Sequence, residues 1–384
     1  MEYDWIVVGA GMTGACFARK MAEDGQRVLL LEMRAQIAGN AYDCNNEDGV
    51  LIHRYGPHIF HTNDGEVYAF LSRFTEWREY RHKVLANLDG EYIPVPFNLN
   101  SLVIAFGYRK AEQIRAKLIE TYGEGNSVSI LQLRESKEPL LHELADFVYH
   151  NVFETYTVKQ WGMRPEEIDP AVTARVPVRI SKDNSYFTDR YQGIPRDGYT
   201  PLFERMLDHQ NIELCLNTPA SSRLRFEDGK IFFDGAEFGG KVLYTGALDE
   251  LFGNEFGRLP YRSLDFRFET LPKEYAQLCG TVNYTVSEDY TRITEFKHLT
   301  GQKAPVTTIM KEFSKPCGAD DTPYYPVRNP ESEELYGRYR KEAERYPSLY
   351  LCGRLAEFRY YNMDAAAASA LSLGKTFLKT KQAD

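Results

Sequence analysis

The stretch RVPVRISKDNSYFTDRYQGIP, residues 175–195, sets Arg175, Arg179 and Arg190 among Tyr186, Phe187 and Tyr191. Guanidinium groups offer planar forks of donors that match phosphate oxygens, and aromatic rings offer faces for a flat base. A ligand both anionic and aromatic needs that combination. The concentration of cations is local, because the 384-residue chain has a formal net charge of -9, which argues against bulk nucleic-acid binding. His58 and His61, spaced as H-I-F-H, invite a metal reading. No third ligand cluster accompanies them and the segment reads as strand or loop, so no metal is expected. No Ser/His/Asp set or carboxylate dyad stands out.

The cofactor signal is at the amino terminus. YDWIVVGAGMTGACFARKMAEDGQRVLLLEMR reads as strand, tight turn, helix, strand. The apolar run 5–8 suits a strand buried on both faces. Gly9, Gly11 and Gly14 form G-x-G-x-x-G, with Met12 and Thr13 between them. The first allows the turn, the second admits a pyrophosphate, and the third lets the helix approach the strand while its N-terminal N–H groups face phosphate. Glu32 closes the second strand where an acid gripping a ribose hydroxyl belongs. Met33, Arg34, Gly39 and Asn40 follow, and a basic residue with a glycine turn at this point resembles the extended fingerprint of FAD enzymes of the glutathione-reductase superfamily. KVLYTGAL, with Thr245 and Gly246, and the far segment PSLYLCGRLAEFRYYNMDAAAASALSLGK read as further pieces of the same cofactor domain. The second of these opens a helix at Met363.

The elements between these pieces position the ligand. Residues 99–183 carry 3.6-period apolar spacing and predict a helical lobe. KVLANLDGEYIPVPF predicts a hairpin turning at Asp89-Gly90. LDFRFETL, GTVNYT, YTRITEFKH and PVTTIMKEF predict an antiparallel sheet. The fold class is therefore α/β, or α+β in several lobes: a discontinuous FAD-binding Rossmann-like domain, a helical insert and an antiparallel sheet domain. The expected boundaries are 1–80, 193–253 and 347–384 for the cofactor domain, 99–192 for the helical one, and 81–98 with 254–346 for the sheet. Six scattered cysteines with no CxxC pair and no signal peptide suggest free thiols in a cytoplasmic protein, and no apolar run is long enough to span a bilayer.

YGPHIFHT (55–62), PFNLN (96–100), TYTVKQWG (155–162), RVPVR (175–179), NSYFTDRYQGIPRDGYT (184–200), YTRITEFKH (290–298), PYYPV (323–327) and GRLAEFRYYNMD (353–364) run in order along nearly the whole chain. Together they closely resemble the bacterial UDP-galactopyranose mutases. Ala38 stands where the family usually has glycine, and Asn362 where some members have aspartate. The resemblance implies interconversion of UDP-galactopyranose and UDP-galactofuranose, with N5 of reduced FAD as the nucleophile at the anomeric carbon. It implies that Arg175 and Arg292 meet the diphosphate, and that Asn98, Tyr156, Thr157, Trp161, Tyr186, Asn283, Tyr325 and Tyr360 surround the nucleotide sugar. Tyr324 is the alternative match for Tyr325. His61 would stand near flavin or substrate, with His58, Ile59, Arg354, Tyr361, Asn362 and Met363 beside the cofactor. A homodimer is implied too, and the segment 163–183, with three prolines, is the expected lid. Two rivals share the cofactor lobe: an FAD oxidase of the amine-oxidase type, and a non-catalytic nucleotide-sugar or redox sensor.

Overall fold

The computed structural model describes residues 3–163, 177–286 and 288–381. Arg175 and most of the expected lid lie outside the described residues.

A five-stranded parallel sheet runs in the order Ile212–Cys215, Val28–Leu31, Trp5–Val8, Lys241–Tyr244, Leu349–Leu351. Apart from the exposed Lys241 that opens the fourth strand, its inner strands are apolar because both faces are covered. On one face Met12–Glu23, Tyr199–Leu207 and Met363–Lys381 bury Phe17, Met21, Phe203 and Met206, and Trp5 meets Phe17 and Phe377 edge to face. The other face carries Pro330–Ala343 and buries Tyr339 and Leu248. Strands from both halves of the chain thus build one sheet.

The helical lobe begins at Leu99–Tyr122 and continues through Pro139–Val148 and Thr155–Trp161. Asn98 caps it, accepting from the backbone N–H groups of Asn100 and Ser101. A two-stranded ribbon, Ser127–Ser129 with Pro177–Arg179, buries Val128 and Val178 in the same apolar cluster as Ile114 and Leu144.

That sheet has seven strands in the order Tyr325–Pro326, Tyr261–Leu271, Thr307–Pro316, Arg292–Glu295, Thr281–Tyr284, Val84–Leu88, Glu91–Val95. The hairpin turn falls at Asp89 (φ 51°) and Gly90 (φ 98°), the left-handed pair that a tight two-residue turn demands. Two expectations need correction. Thr281–Tyr284 pairs with Val84–Leu88 in parallel, because the hairpin is inserted from far upstream. YTRITEFKH is a strand only to Glu295; Glu295, Phe296 and Lys297 are buried consecutively, which alternation forbids, and Phe296–Thr300 turns as a helix. Lys297 tolerates burial because Nζ donates to the carbonyls of Glu274, Ala304 and Val306.

A third, three-stranded sheet joins these bodies: Phe60–Thr62, Tyr191–Pro195 and Trp77–Glu79, with His61 opposite Gln192.

Candidate active site

Two cavities adjoin. The first, about 670 Å³, opens over the glycine turn and is lined by Gly9, Gly11, Met12, Thr13, Glu32, Met33, Arg34, Gly39, Asn40, Thr245, Gly246 and Tyr361. Gly14 does not line it. A Cβ there would lie 1.9 Å from the Gly9 carbonyl oxygen, so this glycine sets how closely helix and strand approach. Gly39, with φ +55°, packs so tightly that a Cβ would lie 2.9 Å from Gly11 Cα, keeping both backbones at the cavity wall. No side chain caps the helix at Gly11, so its first N–H groups remain available to an anion. Glu32 is 5 % exposed and accepts from the N–H groups of Ala10 (2.8 Å) and Arg34 (2.9 Å). It is anchored for a ribose hydroxyl. Arg34 lies 4.4 Å over the Tyr55 ring and donates to Asn40 Oδ1.

The second cavity, about 430 Å³, is reached past Arg354, His58, Asn40, Asn362 and Met363, which line both. Arg354 donates to the Tyr361 and Tyr324 carbonyls and lies 5.4 Å and 5.2 Å from the rings of Tyr325 and Tyr360. Those two rings are stacked, 5.8 Å apart and within 9° of parallel. Ile59, His61, Tyr156, Tyr186, Asn283 and Arg292 line the same space, together with Tyr324. Ile59 therefore faces the second cavity, not the first. Among the described residues, buried Asn283 Oδ1 and Arg292 Nε have no protein partner.

Arg292 donates to Glu312 Oε1 at 2.9 Å, and Glu312 is 1 % exposed. Burial is the largest influence and works against the guanidinium charge, but the Glu312 carboxylate together with the Tyr156 and Tyr325 hydroxyls outweighs it, so Arg292 is held firmly protonated. The register places the two residues directly opposite each other on neighbouring strands.

Three sequence expectations fall elsewhere. Asn98 is buried, and its amide is spent on the helix cap and on Pro96, Asp183 and Asn184. Thr157 is buried and outside the lining of these two cavities. Trp161 packs against the Tyr325 ring at 5.7 Å, one layer behind the cavity wall. The sequence reading missed Glu312, His82, Thr281 and Asp189, all on the lining, where Arg179 of the opening cation cluster also stands. Glu312 had a signal: it shares a strand face with buried Met310, where alternation calls for an apolar residue. Among the described residues, no group of three or more His, Cys, Asp or Glu is placed to hold a metal.

Burial pushes the imidazoles of His53 and His82 down from 6.5 to about 4 and about 3, and that of His58 to about 3. A base with a lowered folded value stabilises the fold above pH 6.5 and loses that contribution as pH falls toward the folded value. The unfolded chain binds the proton first. For His53 and His82 this costs about 1.4 kcal/mol per group per pH unit below 6.5. The urea midpoint is expected to fall from pH 6.5 to 4.5, less steeply in His82→Gln. A flat wild-type midpoint contradicts this.

A sheet that returns to its cofactor from the far end of the chain, beside a cavity of cations, carboxylate and tyrosines, defines a dinucleotide-dependent enzyme of small anionic ligands. The sequence profile described as UDP-galactopyranose mutase matches residues 151–360, and that of an NAD(P)-binding Rossmann-like domain matches 7–74. The chain belongs to the UDP-galactopyranose mutase family, whose members are isomerases carrying FAD. It is 35% identical to a dTDP-fucopyranose mutase of Escherichia coli, over 98% of this chain and 99% of that one. It is also 35% identical to the UDP-galactopyranose mutase of Mycoplasma pneumoniae, over 98% and 97%. The fold is similar to a crystal structure of reduced UDP-galactopyranose mutase, with a TM-score of 0.72 and 15% identity over 98% of this chain and 96% of that one. The first cavity fits FAD: free helix N–H groups for the pyrophosphate, an anchored acid for the ribose, and a cation, Arg354, on the lining it shares with the second cavity.

Proposed function

We propose that this protein interconverts UDP-α-D-galactopyranose and UDP-α-D-galactofuranose. The observation that carries this reading is Arg292, locked in its charged form by a buried carboxylate inside a tyrosine-lined cavity that opens onto the cofactor site. Reduced FAD supplies the nucleophile, with no net redox change. The chain's own residues bind and orient. Arg292, joined by Arg175, meets the charge that develops on the departing diphosphate. Tyr325 and Tyr360 turn hydroxyls toward phosphate, Tyr186 lies against the uracil face, and Asn283 offers its amide to the nucleotide sugar. Arg354, between the cavities, holds negative charge on the reduced ring system. The three-lobe division, a homodimer and a cytoplasmic location belong to the same proposal; no helix among the described residues is long and apolar enough to cross a membrane.

A second reading is favoured by the Escherichia coli relative: a dTDP-fucopyranose substrate, which keeps the diphosphate and changes the sugar and the nucleoside. An oxidase of the amine-oxidase type would want an apolar tunnel, and a lining with Arg292, Glu312 and Asn283 suits it poorly. Product analysis separates the three. Dithionite-reduced protein is expected to equilibrate UDP-galactofuranose with the pyranose form, faster than it does dTDP-fucose. Preference for dTDP-fucose selects the second reading. Oxygen consumption stoichiometric with substrate, and no furanose, rules out both.

A further inference from the structure

We propose that Asp189 is a positioning residue of the sugar subsite: it fixes the tautomer of His61, so that Nε2 presents an acceptor to a sugar hydroxyl. This deepens the proposed function and rests on it for the identity of the ligand.

The geometry determines where the hydrogen sits. His61 Nδ1 lies 2.9 Å from Asp189 Oδ2, and an ionised carboxylate only accepts, so Nδ1 carries the hydrogen. The carboxylate is itself held. Asn63 Nδ2 donates to Asp189 Oδ1 at 3.0 Å. The Arg190 N–H donates to Asn63 Oδ1 at 2.9 Å, which settles that amide's orientation. Gln192 Nε2 donates to the Asp189 and Phe187 carbonyls and pins the turn between them.

The imidazole plane is equally fixed. The Phe187 ring lies parallel to it, with centroids 3.6 Å apart and 14° between planes, and His82 lies beyond Phe187 at 6.0 Å. Strand pairing of His61 with Gln192 sets the backbone beneath. His61, Phe187 and Asp189 all line the second cavity. With Nδ1 committed, Nε2 is the ring nitrogen left for a ligand. In the Nδ1–H tautomer that nitrogen is an acceptor, which suits a hydroxyl donor better than a phosphate oxygen. The cavity is thereby divided, with diphosphate at Arg292 and sugar at His61.

The test compares Asp189→Asn, Asp189→Ala and His61→Gln with wild type, each as oxidised FAD holoprotein, which binds without turnover. Calorimetry gives the affinity for UDP and for UDP-galactose, and for dTDP and dTDP-fucose. Nitrogen-15 NMR gives the His61 tautomer. Wild type is expected to show Nδ1–H, and Asp189→Ala a mixture. UDP binding is expected to stay within about twofold, while the extra affinity of the sugar nucleotide drops roughly tenfold, the size of one hydrogen bond. After reduction the loss should appear in KM more than in kcat. Equal weakening of UDP and UDP-galactose, or an Nε2–H tautomer in wild type, overturns the proposal. Absent turnover with these binding and tautomer results intact would sink the proposed function instead.

Discussion

Replacing Arg292 with alanine is expected to lower turnover on the order of 10²-fold or more, with FAD retained. The leaving group is a diphosphate, and a fixed cation in a cavity out of bulk water acts on charge that appears only as the bond breaks. Arg292 is suited to this because its position costs nothing at the moment of reaction. Glu312 holds one nitrogen at 2.9 Å, and strand register holds both backbones. Removing the guanidinium also leaves Glu312 buried with no countercharge, worth about 3–5 kcal/mol of stability. The double variant Arg292→Ala/Glu312→Gln should regain much of that stability and none of the rate. Turnover in Arg292→Ala within a few-fold of wild type would remove this residue from the chemistry. Arg292→Lys should rescue only partly, since a point charge cannot fork between a carboxylate and a phosphate.

The second large effect is expected at a residue that touches no ligand. Gly14→Ala would set a methyl 1.9 Å from the Gly9 carbonyl oxygen and 3.1 Å from its carbon. The obstruction is backbone, so no side chain can swing aside and the helix Met12–Glu23 must lift from its strand. Overpacking of this kind costs about 1–3 kcal/mol and sometimes more. Its N–H groups would leave the pyrophosphate at the same time. The purified variant is expected to be nearly colourless and to unfold at lower urea than wild type. A full flavin absorbance per chain would show that the third glycine is dispensable.

Much of this was legible from residue order. Trp5–Val8, the glycines and Glu32 are local patterns with one physical solution, and the structure has them in place. Asp89-Gly90 is likewise a short-range signal with a fixed turn geometry. Arg175 and Arg292 could be named as cations, but the partner of Arg292 could not. Glu312 meets it through the register between the Arg292 strand and the next one in the chain, which spacing along the chain does not encode. The same holds for Asp189 and His61, brought together across the small sheet. Asn98 shows the opposite case. The resemblance implies a ligand contact there, and what the structure shows is a helix cap, which a single residue in a familiar phrase does not announce.

The order of the parallel sheet bears on the life of the chain before it is finished. Trp5–Val8 lies between Val28–Leu31 and Lys241–Tyr244, and the sheet closes only with Leu349–Leu351. At roughly 5–20 residues per second of synthesis, the first strand waits on the order of ten seconds or more for its second neighbour. During that interval a fully apolar edge is uncovered, the condition that invites pairing with another nascent chain. A message cut short before the last strand would also lack Arg354, Tyr361, Asn362 and Met363, which line the coenzyme cavity.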